Sequence, residues 1–166
     1  FSTENWKRPK SEINFLFGLI VNYFKKELKN VIKNKIKINI VGKLNNLPKK
    51  IQLTLKKVIR LTKKNEKIIV NLAINYGSRE EIVNATKKLK INTSKSLEKK
   101  LYTKDMPNPD ILIRTGGYKR LSNFMLWQLA YTELYFLNKL WPDFNEVDFK
   151  KIIKNYKNIK RNFGSI

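Results

Sequence analysis

The chain has 166 residues, about one domain's worth, and 42% of them are hydrophobic, enough to build a core. It contains neither Cys nor His, which excludes disulfides, thiolate zinc sites, Cys nucleophiles and any Ser-His or Cys-His pair, so a metal would have to sit on oxygen ligands, a preference of Mg2+. Lys and Arg number 36 against 13 Asp and Glu, a net charge of +23. That balance fits an anionic partner such as nucleic acid or a membrane surface, but the lysines are spread along the chain amid many Ile and Asn, the pattern of an A/T-rich coding sequence.

The opening "FSTENWKRP" is polar and site-like, and FSTENW has the look of the end of a strand. Lys10 to Lys33 reads as a helix, with Pro9 at its entrance and Ser11 as a candidate N-cap. From Ile13 to Phe24 its apolar residues go nearly all round, which fits either a core helix or one that lines an apolar channel. "KIKINIVG" alternates as a half-buried strand with Ile36, Ile38 and Ile40 on one face. Gly42 to Pro48 is a loop, and Lys49 to Lys64 an amphipathic helix. "KIIVNLAINYG" is apolar enough for a central parallel strand covered on both faces.

Glu80 to Lys90 is the next helix, followed by a short one near Leu97 to Tyr102. A strand over Asp110 to Ile113 runs into the Gly loop of "RTGGYKRLSN"; "SNFMLWQLAY" reads as a helix capped by Ser122, "ELYFL" as a strand, and Glu146 to Phe163 as a closing basic helix. This order predicts an α/β fold, a mostly parallel central sheet flanked by helices. No stretch of 18 apolar residues occurs. Ligands of such sheets bind at the carboxyl ends of the strands. Three polar ends, FSTENW, NYGSRE and RTGGYKRLSN, would then meet at one crevice.

Within RTGGYKRLSN, Arg114 follows a strand, Gly116 and Gly117 allow a sharp turn, and Arg120 and Ser122 arrive where a helix is expected to start. Guanidiniums, a hydroxyl and helix N–H groups together suit phosphate or diphosphate. The spacing is not that of a Walker loop. Glu133 comes one element later, a candidate Mg2+ ligand or an ordinary solvated carboxylate. In the opening run, Glu4 and Asn5 offer polar groups, Trp6 a stacking surface and Arg8 a further anion contact.

Four blocks decide between these readings: "FSTENWKRP", the Gly42 to Pro48 loop, "NLAINYGSREEI", and "PDILIRTGGYKRLSNFMLWQLAYTELYF" with the later "WPDF". In this order they resemble the cis-prenyltransferases of the bacterial undecaprenyl diphosphate synthase type, from Phe1 to Phe144. The resemblance implies a single cis-prenyltransferase domain over Phe1–Ile166, cut inside its second strand, so that the family's first strand, its Asp-bearing loop and first helix are missing. It implies Mg2+ and condensation of isopentenyl diphosphate with an allylic diphosphate such as farnesyl diphosphate. The product would be a long polyprenyl diphosphate for the cell-wall lipid carrier. Asn5 would assist proton removal. Ser2, Thr3, Glu4, Trp6 and Arg8 would lie at the substrates, and Arg114, Arg120, Leu121 and Ser122 at the isopentenyl diphosphate. Glu133 would bind Mg2+, and the Ile13 to Phe24 helix would line the tunnel for the growing chain.

The resemblance further implies a cytoplasmic homodimer working at the inner face of the membrane, with no nucleic acid bound. The fragment by itself would be inactive. The chain departs from the family pattern at Lys43 in place of Asp, at Tyr118 and Lys119 in place of Glu and a variable neighbour, and at Asn162 in place of an Arg that reaches across the dimer. The rival readings are a non-catalytic subunit of the same fold and a basic nucleic-acid-binding domain.

Overall fold

The structure, a computed structural model, describes residues 1–160. It divides into two compact units, Phe1–Lys104 and Asp105–Ile166. The expected Arg substitution at Asn162 and the last part of the expected closing helix lie outside the described residues.

In the first unit, helix α1 spans Lys10–Lys33, as its sequence pattern predicts. Its N-cap is Pro9, not Ser11; the proline's φ of −52° already suits a helix entrance, and Ser11 lies inside the first turn. The helix buries Ile13, Phe17, Val21, Phe24 and Val31 along one stripe. Phe15, Leu19 and Tyr23 stand exposed on another. Lys35, with φ of 53°, turns the chain into strand β1, Ile36–Val41.

Helix α2, Lys49–Thr62, follows Pro48 and buries Ile51, Leu55, Val58 and Thr62. The Thr62 hydroxyl donates to the Val58 carbonyl and accepts from the Ile38 N–H at 3.1 Å, while the Asn65 amide donates to the Ile36 carbonyl. Side chains at and just beyond the end of α2 thereby satisfy the outer edge of β1, which would otherwise be open for pairing.

Strand β2, Ile68–Ala73, pairs in parallel with β1, Ile38 opposite Val70 and Ile40 opposite Leu72. These residues form one face of the pair, packed with α1 and α2 into the core. The expectation that β2 is covered on both faces does not hold. The opposite face carries Lys37, the hydrogen-bonded pair Asn39–Asn71 at 2.9 Å and Ile69, which is 54% exposed. The face is polar at its centre, where the Asn39 amide donates to the Asn71 side-chain oxygen. Helices α3, Ser78–Thr86, and α4, Ser94–Glu98, complete the unit.

The second unit pairs strand β3, Ile111–Arg114, in parallel with β4, Glu133–Phe136. The α/β class with parallel pairing therefore holds in both units. The helix expected over "SNFMLWQLAY" is absent: residues 121–132 form a chain of turns. Ser122, Asn123 and Met125 all take positive φ, and each interrupts a helical ladder. The Ser122 hydroxyl, expected to cap a helix, instead accepts from the Arg114 guanidinium at 3.0 Å. Helix α5 spans Glu146–Lys157, opened by an Asn145–Asp148 capping box, and ends at Asn158 rather than at Phe163.

Candidate active site

The first cluster of candidate residues gathers at the carboxyl ends of β1 and β2. Ser2 bridges Tyr76 in parallel, and Thr3 donates its N–H to the Tyr76 carbonyl at 3.1 Å. Thr3–Lys7 then coil into a 3-10 turn closed by a capping box. In that box Ser2 accepts from the Glu4 N–H at 3.2 Å, and Asn5 Oδ1 accepts from the Ser2 N–H at 2.6 Å. The Ser2 hydroxyl also donates to the Glu4 carboxylate at 3.1 Å. Arg8 leaves the turn and pairs with Glu12 at 2.6 Å across the first turn of α1. Trp6 packs against Phe1 and Phe17, with ring centroids 5.3 Å and 5.8 Å away, yet remains 39% exposed. FSTENW and NYGSRE thus meet, as the strand-end argument expects.

Lys43 has its own acid. Its ammonium forms an ion pair with Glu80, and that hydrogen bond raises its pKa above the ordinary lysine value. Glu81, next in sequence, is buried and accepts from the Tyr76 hydroxyl at 2.7 Å and the Tyr102 N–H at 2.8 Å. Sequence reasoning missed this carboxylate, whose signal was an acidic residue in the first turn of a helix after a strand-end Tyr-Gly. It anchors the base of the NYGSRE turn.

The second cluster lies in the second unit, at the carboxyl end of β3. Arg114 is the last residue of that strand, and its side chain donates to the Arg120 carbonyl and to Ser122 Oγ. The Arg120 guanidinium rests over the Tyr118 ring, 4.1 Å from its centroid. Tyr118 therefore orients Arg120 by a cation–π contact. Gly116 and Gly117 take φ of 91° and 79°, and their N–H groups donate to the Lys139 and Leu137 carbonyls at 2.8 Å and 2.9 Å. The loop is pinned by these bonds. With no helix starting at Ser122, the cluster presents guanidiniums and a hydroxyl, not a row of backbone N–H groups. Leu121 sits between Arg120 and Ser122, half-buried.

Glu133 is placed apart from this cluster. It opens β4 opposite Ile111, whereas Arg114 lies opposite Phe136. Three residue steps separate the two levels, about 10 Å along the strands. Among the described residues no group of three or more acidic side chains converges on a metal-sized space. Mg2+ is commonly held by one or two carboxylates with substrate phosphate oxygens and water completing the shell, so a lone Glu133 is compatible with it.

The family model "Putative undecaprenyl diphosphate synthase" matches residues 1–164. The isoprenyl transferase of Fusobacterium nucleatum is 47% identical over all of this chain and 74% of its own length, and that of Clostridium tetani 44% identical over all of this chain and 69% of its own. This chain belongs to the undecaprenyl diphosphate synthase family. The crystal structure of a probable undecaprenyl diphosphate synthase from Campylobacter jejuni covers 99% of the chain and 80% of its own, at 42% identity and a TM-score of 0.89. The lavandulyl diphosphate synthase of Lavandula x intermedia, solved with dimethylallyl diphosphate, covers 99% and 76%, at 33% identity and a TM-score of 0.93. Membership makes cis-prenyl chain elongation the family activity. No described helix is long and apolar enough to cross a membrane.

Proposed function

We propose that the protein is a long-chain cis-prenyltransferase, forming undecaprenyl diphosphate for the cell-wall lipid carrier from isopentenyl and farnesyl diphosphates. The observation that carries this reading is the Arg114–Arg120–Ser122 cluster, two guanidiniums and a hydroxyl pinned around a Gly turn at a strand end. Such a set matches a diphosphate in charge and in fork geometry.

In the proposed reaction the allylic C–O bond breaks and diphosphate departs. The isopentenyl double bond forms a C–C bond to the allylic carbon, and loss of a proton leaves a new cis double bond. Arg114, Arg120 and Ser122, with Leu121 among them, hold the isopentenyl diphosphate. Ser2, Thr3, Glu4, Trp6 and Arg8 lie at the substrates. Asn5, whose Oδ1 closes the turn by accepting from the Ser2 N–H, would assist proton removal. Mg2+, held by Glu133, would neutralise charge on the leaving diphosphate. The growing tail would run along α1, beside a cavity of about 230 Å3 lined by Phe17, Gly18, Val21, Pro48 and Ile51 together with the polar Asn14, Asn22 and Lys50.

The working state we propose is a homodimer at the cytoplasmic face of the membrane. The isoprenyl transferases of Fusobacterium nucleatum and Clostridium tetani extend beyond the matched stretch, and Phe1–Ile166 alone is proposed not to turn over. Incorporation of radiolabelled isopentenyl diphosphate into farnesyl diphosphate tests the whole reading, using protein expressed with any coding sequence that flanks this stretch. Mg2+-dependent product is expected; none would overturn it.

A further inference from the structure

The amide of Asn75 joins the FSTENW turn to the Gly42 to Pro48 loop. It is 3% exposed, just beyond the end of β2. Its Oδ1 accepts from the Trp6 indole N–H at 2.7 Å, and its Nδ2 donates to the Lys43 carbonyl at 2.8 Å. Its own carbonyl accepts from the Lys43 N–H at 3.2 Å. Gly42 passes so near that a Cβ there would lie 2.2 Å from the Ile74 carbonyl oxygen and 2.9 Å from that of Asn75. The platform under the amide is therefore backbone on backbone, with little room to shift.

We propose that Asn75 is a positioning residue that fixes the pose of Trp6 at the substrates and couples that pose to the Gly42 to Pro48 loop. The proposal rests on the reading of Trp6 as a substrate contact. Phe1 and Phe17 confine the indole by ring contacts, which are tolerant of rotation; a hydrogen bond to Nε1 selects one orientation. The requirements at position 75 are narrow. The backbone has φ of 52°, which Asn tolerates better than most residues. The side chain must present an acceptor to Trp6 and a donor to Lys43 at once. Asp has no donor, Gln is one methylene too long for the same reach, and Gly has neither group.

Asn75→Gly keeps the backbone conformation and removes both hydrogen bonds. It is compared, in the complete protein, with Trp6→Phe and with the double variant. The Trp6 indole N–H cross-peak in an NMR spectrum, identified by its disappearance in Trp6→Phe, is expected to shift and to exchange faster with solvent in Asn75→Gly. Turnover of farnesyl and isopentenyl diphosphates is expected to fall about tenfold in kcat/KM, the scale of one lost buried hydrogen bond. The double variant is expected to be no worse than Trp6→Phe, because Asn75 acts through the indole. A cross-peak unmoved in Asn75→Gly, or losses that multiply in the double variant, would overturn the proposal. Unchanged kinetics in Trp6→Phe together with a shifted cross-peak would overturn the catalytic reading of Trp6 while supporting the hold of Asn75 on it.

Discussion

Replacing Arg114 by alanine removes the guanidinium at the centre of the proposed diphosphate site while leaving its backbone in β3, where its carbonyl accepts from the Leu137 N–H at 2.8 Å. One side-chain nitrogen, Nη1, makes both internal contacts, to the Arg120 carbonyl and to Ser122 Oγ. The rest of the fork remains for a ligand. A charge-assisted hydrogen bond to an anion is worth about 1.5–3 kcal/mol. At about 1.4 kcal/mol per decade, Arg114→Ala should lower kcat/KM for isopentenyl diphosphate by roughly ten- to 150-fold. Arg114→Lys keeps the charge but not the planar fork, and should fall between the two. The internal contacts are exposed, so the folded state should lose no more than about 1 kcal/mol for each. Steady-state kinetics with varied isopentenyl diphosphate, alongside a melting curve, separates the effects. An unchanged kcat/KM in Arg114→Ala with folding intact would refute the assignment of this cluster to diphosphate.

Glu133 lies a strand's length from Arg114, so Glu133→Gln should raise the Mg2+ concentration for half-maximal rate at least severalfold, with a smaller change in KM for isopentenyl diphosphate; a Mg2+ titration that overlays the parent's would make Glu133 structural. Gly18 lies in α1 with nothing within 4 Å of where its Cβ would be, so Gly18→Ala should raise stability by up to about 1 kcal/mol through helix propensity. Gly18→Leu would fill the cavity beside it and should shorten the product, read by chromatography; an unchanged length distribution would place the tail elsewhere. Phe17→Ala, in contrast, empties the core and should cost about 3–5 kcal/mol in denaturant unfolding. The hydrogen bond from Lys139, then that from the Asn145 N–H, holds the Asp148 carboxyl below the ordinary value. Its folded pKa is depressed, so its contribution to stability is present above the unfolded carboxylate pKa and fades as pH falls through the folded one. Lys139→Ala should return the Asp148 titration, followed by NMR, toward the ordinary range.

Local patterning made the span of α1 legible, through Pro9 at the entrance and apolar residues at helical spacing, although Ser11 was misread as its cap. The strands β1 and β2 were legible from alternating Ile residues and from an apolar run, but their mutual pairing, and the polar open face of β2, were not. The turns over residues 121–132 were not legible, because SNFMLWQLAY satisfies every local rule for a helix. Only the tertiary contact between Arg114 and Ser122, with three residues of positive φ, argues against it. Arg114 and Arg120 stood out in the sequence by charge, and the structure brings them into contact at the end of β3. Asn75 did not stand out, since an Asn before Tyr-Gly at a strand end reads as ordinary turn chemistry. Its two hydrogen bonds join residues 69 and 32 positions away, a separation no local pattern encodes.

The stereochemistry of the newly made double bond tests the central claim most directly. The complete protein would be given farnesyl diphosphate, labelled isopentenyl diphosphate and Mg2+, and the dephosphorylated product compared with cis and trans polyprenol standards by chromatography and NMR. The account predicts label in an undecaprenyl chain whose added units are all cis, with none formed in the presence of a chelator. Added units in the trans configuration, or no incorporation by the complete protein, would contradict it.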